Sequence, residues 1–192
     1  MYTGGDHMQD AAARDAAVAF VYTPTEADYR SAVRRYSFGT PSGLAGVLVP
    51  VAVGLLIAYF YAWRKGFSPA ESAVVGACVL VASGVVIPRI LARVAREQYS
   101  GTADYGTCTT VVGDDGMTTT GGGLTSSIDW QAFPRCIETD ELFVFMPRRM
   151  RIYFVLPKRG AADPADVDRV RAVLAAANVH RLRGMPGMTA RR

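Results

Sequence analysis

The sequence predicts an α+β protein: a two-helix transmembrane hairpin inserted into an antiparallel β domain of about seven strands that ends in a C-terminal helix. Three observations carry that expectation. Two apolar stretches, residues 42–63 and 69–91, lie close together, and the first holds no Asp, Glu, Lys or Arg in 22 residues. Beyond residue 99 the pattern changes to period-two, β-branched segments. A lone strand-like segment precedes the hairpin, so the hairpin interrupts a sheet.

Residues 1–15 are polar and Ala-rich (Gly4, Gly5, Asp6, His7) and are expected to be disordered. They contain no h-region of a cleaved signal peptide, which leaves targeting to the first span. Residues 16–39 are expected to supply the first strand and an amphipathic helix. AAVAFVY reads as a short buried strand, Thr25 and Asp28 form a capping-box pattern, and Tyr29, Ala32, Val33 and Tyr36 recur at helical spacing.

The hairpin is expected within residues 40–92, with Thr40 and Pro41 suited to the N-cap and first turn. At about 1.5 Å per residue the first span reaches roughly 33 Å, enough to cross hydrocarbon. Tyr59, Tyr61 and Trp63, followed by Arg64 and Lys65, form an interfacial aromatic belt with flanking cations. Ser68-Pro69-Ala70-Glu71 is a second capping box that starts the returning helix. The 16 uncharged residues 72–87 make about 24 Å. The span is therefore expected to continue to residue 91, with Arg89 snorkelling to the headgroups and Pro88 kinking it.

Gly46, Gly54, Ala73, Ala77 and Gly84 suit close helix packing within the hairpin, or a dimerisation face. No ionisable group lies at membrane depth, which argues against a proton relay or ion pathway. Arg30, Arg34 and Arg35 precede the first span, Arg89, Arg93 and Arg96 accompany the end of the second, and only Arg64 and Lys65 occupy the loop. That asymmetry places both termini in the cytoplasm of a multi-pass cell (inner) membrane protein.

Residues 99–180 are expected to form the cytoplasmic β domain. Strands are read at 105–112, 117–120, 124–130, 133–139, 142–146 and 150–155, with Asp115-Gly116, Asp140-Glu141 and Arg148-Arg149 as turns. A helix over 164–179 follows, capped by Asp163, with Val167, Val170, Val173, Leu174 and Ala177 as its apolar stripe. Residues 181–192 are expected to be a flexible basic tail. With the strand before the hairpin, this is the element order of a pleckstrin-homology-like (PH-like) barrel.

The net charge of +4 comes from 19 Arg and 2 Lys against 17 acids. The arginines stand singly or in pairs, so no nucleic-acid groove is expected. Cys78, Cys108 and Cys136 are odd in number and scattered, which suits neither a disulfide framework nor a metal site, and no cofactor is expected. His7 and His180 have no partner in sequence context for catalysis. Asp114 and Asp115 are explained by turn chemistry, and Gly121-Gly122-Gly123 lacks the context of a phosphate loop and reads as a flexible connection. Trp130 suits either the core beneath the last helix or an exposed anchor. Arg135, Arg148, Arg149, Arg151, Lys158 and Arg159 fall at strand ends where they can gather on one rim. Arg148, Arg149, Arg151, Lys158 and Arg159, with Trp130, form the candidate lipid- or partner-binding set.

The order of EADYRSAVRRY, two spans, the Asp114-Asp115-Gly116 turn, Ile128-Asp129-Trp130, Ile137-Glu138 and Leu156-Pro157-Lys158-Arg159 before a final helix resembles the bacterial YcxB-like proteins. The resemblance extends over residues 18–174. It departs at Ala161 and Ala162, where family members usually carry an aromatic residue. It implies a two-span membrane protein with a cytoplasmic PH-like domain and no established activity. The expected function is non-catalytic: the bilayer holds the protein, and the domain binds a protein partner or the anionic membrane surface. An oligomeric transport-accessory or immunity protein of the envelope is the alternative, and a membrane-associated enzyme the third reading.

Overall fold

The structure is a computed structural model that describes residues 17–147 and 153–183. It is α+β, with two long apolar helices followed by a β-sheet region and a C-terminal helix. Strand β1 (Val18–Tyr22) opens the described chain, followed by helix α1 (Glu26–Gly39), helix α2 (Pro41–Lys65) and helix α3 (Pro69–Ser100). Strands β2 (Cys108–Val112), β3 (Gly116–Gly121), β4 (Leu124–Asp129), β5 (Arg135–Glu138), β6 (Leu142–Met146) and β7 (Phe154–Pro157) come next. Helix α4 (Pro164–Ala176) and strand β8 (His180–Arg183) complete it.

The hairpin does interrupt a sheet. β1 pairs antiparallel with β2, Val18 opposite Val112 and Tyr22 opposite Cys108, across the whole of α1, α2 and α3. One sheet has the order β1-β2-β3-β4 and is antiparallel throughout. The second has the order β7-β6-β5-β8, in which β8 runs parallel to β5. The eighth strand falls partly in the segment expected to be a flexible tail. α4 ends at Ala176, a turn before expectation, which frees the chain to reach the β5 edge.

Two apolar clusters follow from the layering. Between the sheets, Phe20, Val112, Met117, Phe133, Phe143, Phe145 and Leu156 pack with Val170 and Leu174 of α4. On the other face of the second sheet, Ile137, Leu142, Val144, Met146 and Val155 pack against Tyr29, Ala32 and Val33 of α1 and Ala95 of α3. Strand β6 is therefore buried at every position, its alternate side chains divided between the clusters.

α2 and α3 are long and apolar enough to cross a membrane. Their large side chains, among them Leu48, Val53, Ile57, Val74, Val81 and Val86, point outward and are exposed along both helices. α3 does not end where the apolar run ends. It is 32 residues long in all, about 48 Å, and its last turns belong to the second cluster. Pro50 and Pro88 are both accommodated within continuous helices.

The corner between α1 and α2 has no linker. Thr40 is the C-cap of the first helix and the N-cap of the second. Its buried hydroxyl donates to the Tyr36 carbonyl at 2.8 Å and accepts from the Gly43 amide at 3.0 Å. Gly43 is required there, because a Cβ would stand 2.1 Å from the Tyr36 carbonyl oxygen. Gly122 and Gly123, read from sequence as a flexible connection, instead form a two-residue hairpin turn. Both have positive φ (57° and 76°), and Gly121 and Leu124 pair across them.

Candidate functional site

The two cations of the Pro157-Lys158-Arg159 step are each paired with a carboxylate of the domain. This segment leaves β7 as a single 3-10 turn over Lys158–Gly160. The Arg159 guanidinium grips Asp28 with two hydrogen bonds of 2.6 Å and donates to the Thr23 carbonyl at 3.1 Å. Asp28 also completes the capping box of α1, accepting from the Thr25 amide and hydroxyl. Burial alone would raise the Asp28 carboxyl, but the hydrogen bonds from Arg159 and Thr25 outweigh it and hold it below the usual carboxylate range. The same contact raises Arg159. Gly160 and Ala161 then pack on β1, Ala161 forming a bridge with Phe20.

Lys158 turns the other way. Its ammonium lies 2.8 Å from Glu138 Oε1 and 4.8 Å from the centre of the Phe143 ring. Glu138, with a side chain only 13% exposed, also receives Arg171 Nε at 2.8 Å and Arg181 Nη1 at 3.3 Å. Burial would raise its carboxyl, yet hydrogen bonds from Arg171 and Lys158 lower it. Arg171 pairs with Asp168 as well. One carboxylate thereby joins β5, the turn after β7, α4 and β8. Lys158 and Arg159 are thus both ion-paired within the domain, Lys158 largely buried and Arg159 half exposed.

Trp130 is core, and its expected role as a lipid or partner anchor is withdrawn. It is 5% exposed, donates from Nε1 to the Gly113 carbonyl at 2.9 Å, and packs against Phe133 and Phe145. Its indole closes the β2–β3 hairpin, because Gly113 also pairs with Gly116. Arg148, Arg149 and Arg151 lie outside the described residues. Among the described residues, no group of three or more His, Cys, Asp or Glu side chains is placed to hold a metal. Cys108 and Cys136 are buried, and burial pushes the Cys136 thiol up to about 12.

The residues expected at the membrane interface stand in the last turns of α2. Tyr59, Tyr61 and Trp63 are all more than half exposed, and Lys65 stands 6.0 Å from the Tyr61 ring centre beside Arg64 in the last turn of α2. Arg89, at the other end, donates back to the Val85 carbonyl at 3.2 Å. Of the small residues, Gly54 faces Val79 of the returning helix, whereas Gly46 and Gly84 have open space beside them.

Sequence reading missed the juxtamembrane grouping on α3. Arg89, Ala92, Arg93, Arg96 and Glu97 line a groove of about 470 Å3 on its outer face. Arg93 pairs with Glu97 at 2.8 Å, and Arg96 reaches Glu26 of α1 at 3.4 Å, where Arg30 also pairs. The signal was present as three arginines at i, i+4 and i+7, which share one helix face.

No curated protein and no solved structure matches the chain. One family model does, and it covers residues 112–174, the stretch that carries Trp130, Glu138, Lys158 and Arg159. Over that stretch the chain is similar to the family described as YcxB-like protein.

Proposed function

We propose that this is a non-catalytic, two-span protein of the bacterial inner membrane that holds a cytoplasmic PH-like β domain in a set orientation and uses it to bind a protein partner at the bilayer surface. The observation that carries this reading is the continuity of α3, which runs from an apolar span into the packed core of the β domain without a joint. A tether would leave the domain free to tumble. A continuous helix and the Thr40 corner hold it. The second sheet is covered by α1 and α3 on one face and by the first sheet on the other, so the open β surface is the outer face of the first sheet. Val21 and Val111 are exposed there, within a field of Ser and Thr.

Cysteine labelling in intact cells tests the arrangement. Cys78 lies within a span, and Cys108 and Cys136 are buried, so the native thiols supply a low background to a membrane-impermeant maleimide. Ser68→Cys, in the hairpin loop, is expected to react from outside, and Thr118→Cys only after the inner membrane is opened. Reversed labelling, or release of the protein by alkaline carbonate, overturns the reading. Partner binding is read by in-cell photocrosslinking from Val21 and Val111. Absence of any heterologous adduct from both positions counts against it.

An oligomeric envelope protein is the second reading, favoured by the open space beside Gly46, Gly76 and Gly84 on the outer surfaces of the spans. Crosslinking in membranes that yields only monomer removes it.

A further inference from the structure

We infer that the arginine groove on α3 is a binding site for the phosphate of an anionic membrane lipid, with the acyl chains lying along the apolar surface one turn deeper in the bilayer. The inference rests on the reading that α2 and α3 cross the membrane.

Depth is the first argument. Position 54 of α2 meets Val79 of α3, and the two helices run antiparallel. Thirteen residues back along α2 and thirteen on along α3 bring Pro41, where the first span begins, level with Ala92. Arg89 therefore lies just inside the level at which the spans emerge, Arg93 at that level, and Arg96 a turn beyond. At 100° per residue the three fall within roughly 60° of one another on one face of the helix.

Charge is the second. Arg30 and Arg34 of α1 are exposed, and Arg30 pairs with the same Glu26 that Arg96 reaches. Four arginines, Arg30, Arg89, Arg93 and Arg96, thus stand with two carboxylates, Glu26 and Glu97, which leaves an excess of two positive charges. The side chains of Arg93 and Arg96 are largely exposed even while paired, and Arg89 uses one N–H on the Val85 carbonyl. Guanidinium groups match phosphate oxygens in planar, paired geometry.

Amphiphilicity is the third, and it selects a lipid over free phosphate. On α3, Val85, Val86 and Ile90 expose apolar side chains around and below Arg89. A ligand with a phosphate on the arginines and hydrocarbon on these residues satisfies both surfaces. A soluble phosphate or an acidic peptide leaves the apolar part uncovered.

The test uses the full chain in non-ionic detergent micelles, with native mass spectrometry reading bound dioctanoyl-phosphatidylglycerol. Dioctanoyl-phosphatidylcholine serves as the zwitterionic control and inorganic phosphate as the soluble one. Each arginine near a lipid surface contributes enough for roughly a fivefold change in affinity. R89Q/R93Q is expected to weaken phosphatidylglycerol binding by about twentyfold or more. R93K/R96K, which keeps the charge, is expected to retain most of it. E97Q frees Arg93 and is expected to tighten binding several-fold, a gain that misfolding cannot imitate. Equal binding of the two lipids, equal competition by inorganic phosphate, or wild-type affinity in both R89Q/R93Q and E97Q overturns the inference. Carbonate extraction of the same variants separates the two failures: protein that stays in the membrane but shows no lipid preference refutes the lipid site alone, whereas extracted protein refutes the spanning arrangement beneath it.

Discussion

Replacing Arg159 by Ala removes the clamp between the turn after β7 and the start of α1, and its cost can be worked from the two partners. The Asp28 side chain is 7% exposed and the Arg159 side chain 49%. Breaking a fully buried pair costs about 3–5 kcal/mol, whereas an exposed one is worth about 1 kcal/mol or less. This pair lies between those limits because the guanidinium is half solvated while the carboxylate is not. After the substitution Asp28 keeps its hydrogen bonds from Thr25, so the loss is the two charge-assisted bonds and the remaining desolvation, about 2–3 kcal/mol. For a chain of this size 1 kcal/mol moves the melting temperature by about 2–4 °C, so R159A is expected to melt roughly 5–10 °C lower at pH 7. The fluorescence of buried Trp130 in detergent-solubilised protein reports the transition.

The pH dependence gives the sharper check. The folded Asp28 carboxyl is held below its unfolded value of about 3.9, so the pair stabilises the fold fully above that value and the contribution is lost as pH falls through the folded pKa. Without Arg159 the burial of Asp28 acts unopposed by the guanidinium, and protonation relieves it. The gap between wild type and R159A is therefore expected to narrow as pH is lowered towards 4. Arg159→Lys, which cannot supply the paired geometry, is expected to recover only part of the loss. A gap under 2 °C at pH 7, or one that widens on acidification, refutes the reasoning.

Gly43→Ala is expected to destabilise by about 1–3 kcal/mol despite the better helix propensity of Ala, because its Cβ overlaps the Tyr36 carbonyl and forces the corner open; the same melting assay reads it. Glu138→Gln leaves Lys158, Arg171 and Arg181 facing one another around a neutral amide, and a loss of about 2–4 kcal/mol is expected. That loss should be larger in low salt than in 0.5 M salt, since added ions screen the exposed guanidinium groups; a salt-independent loss counts against the charge network. Cys136, with its thiol pushed up to about 12 by burial, is expected to resist alkylation at pH 8 until the protein unfolds, and mass-spectrometric labelling before and after denaturation checks this.

Local chemistry made much of this fold legible. Thr25 with Asp28, Ser68 with Glu71, and Asp163 all cap the helices they were expected to start, because a cap is decided within four residues of chain. The inserted hairpin was legible because β1 is apolar in a stretch that otherwise has no reason to be. Less visible was the reach of α3 beyond residue 91, although Leu91, Val94, Ala95 and Tyr99 already mark an apolar stripe for α1. β8 escaped because HRLR is short and polar, and its place depends on an open edge of β5 rather than on its own pattern. The Arg159–Asp28 pair was not legible because Asp28 is 131 residues away in sequence, and nothing in a basic strand end reveals whether it faces a carboxylate or the solvent. Trp130 was open between core and surface until its indole met the Gly113 carbonyl.

Strand β6 explains why the domain and the hairpin move as one. Phe143 and Phe145 point into the core shared with the first sheet, while Leu142, Val144 and Met146 point into the core shared with α1 and α3. Rotating α3 relative to the domain would shear the second set against a strand whose other face is already packed, and close-packed interiors do not yield continuously to such displacement. The ion pairs flank this sandwich. Arg159 ties the turn after β7 to the N-terminal end of α1, and the Gln98 side-chain oxygen on α3 accepts from the Tyr153 amide at 3.2 Å at the start of β7. Hydrogen bonds thus reach β7 from both helices that adjoin the apolar spans. The outer face of the first sheet lies beyond both cores and carries no such tie. Its orientation relative to α2 and α3 is therefore set through two packed layers, so that the exposed Val21 and Val111 belong to a surface whose angle to those helices is built into the fold.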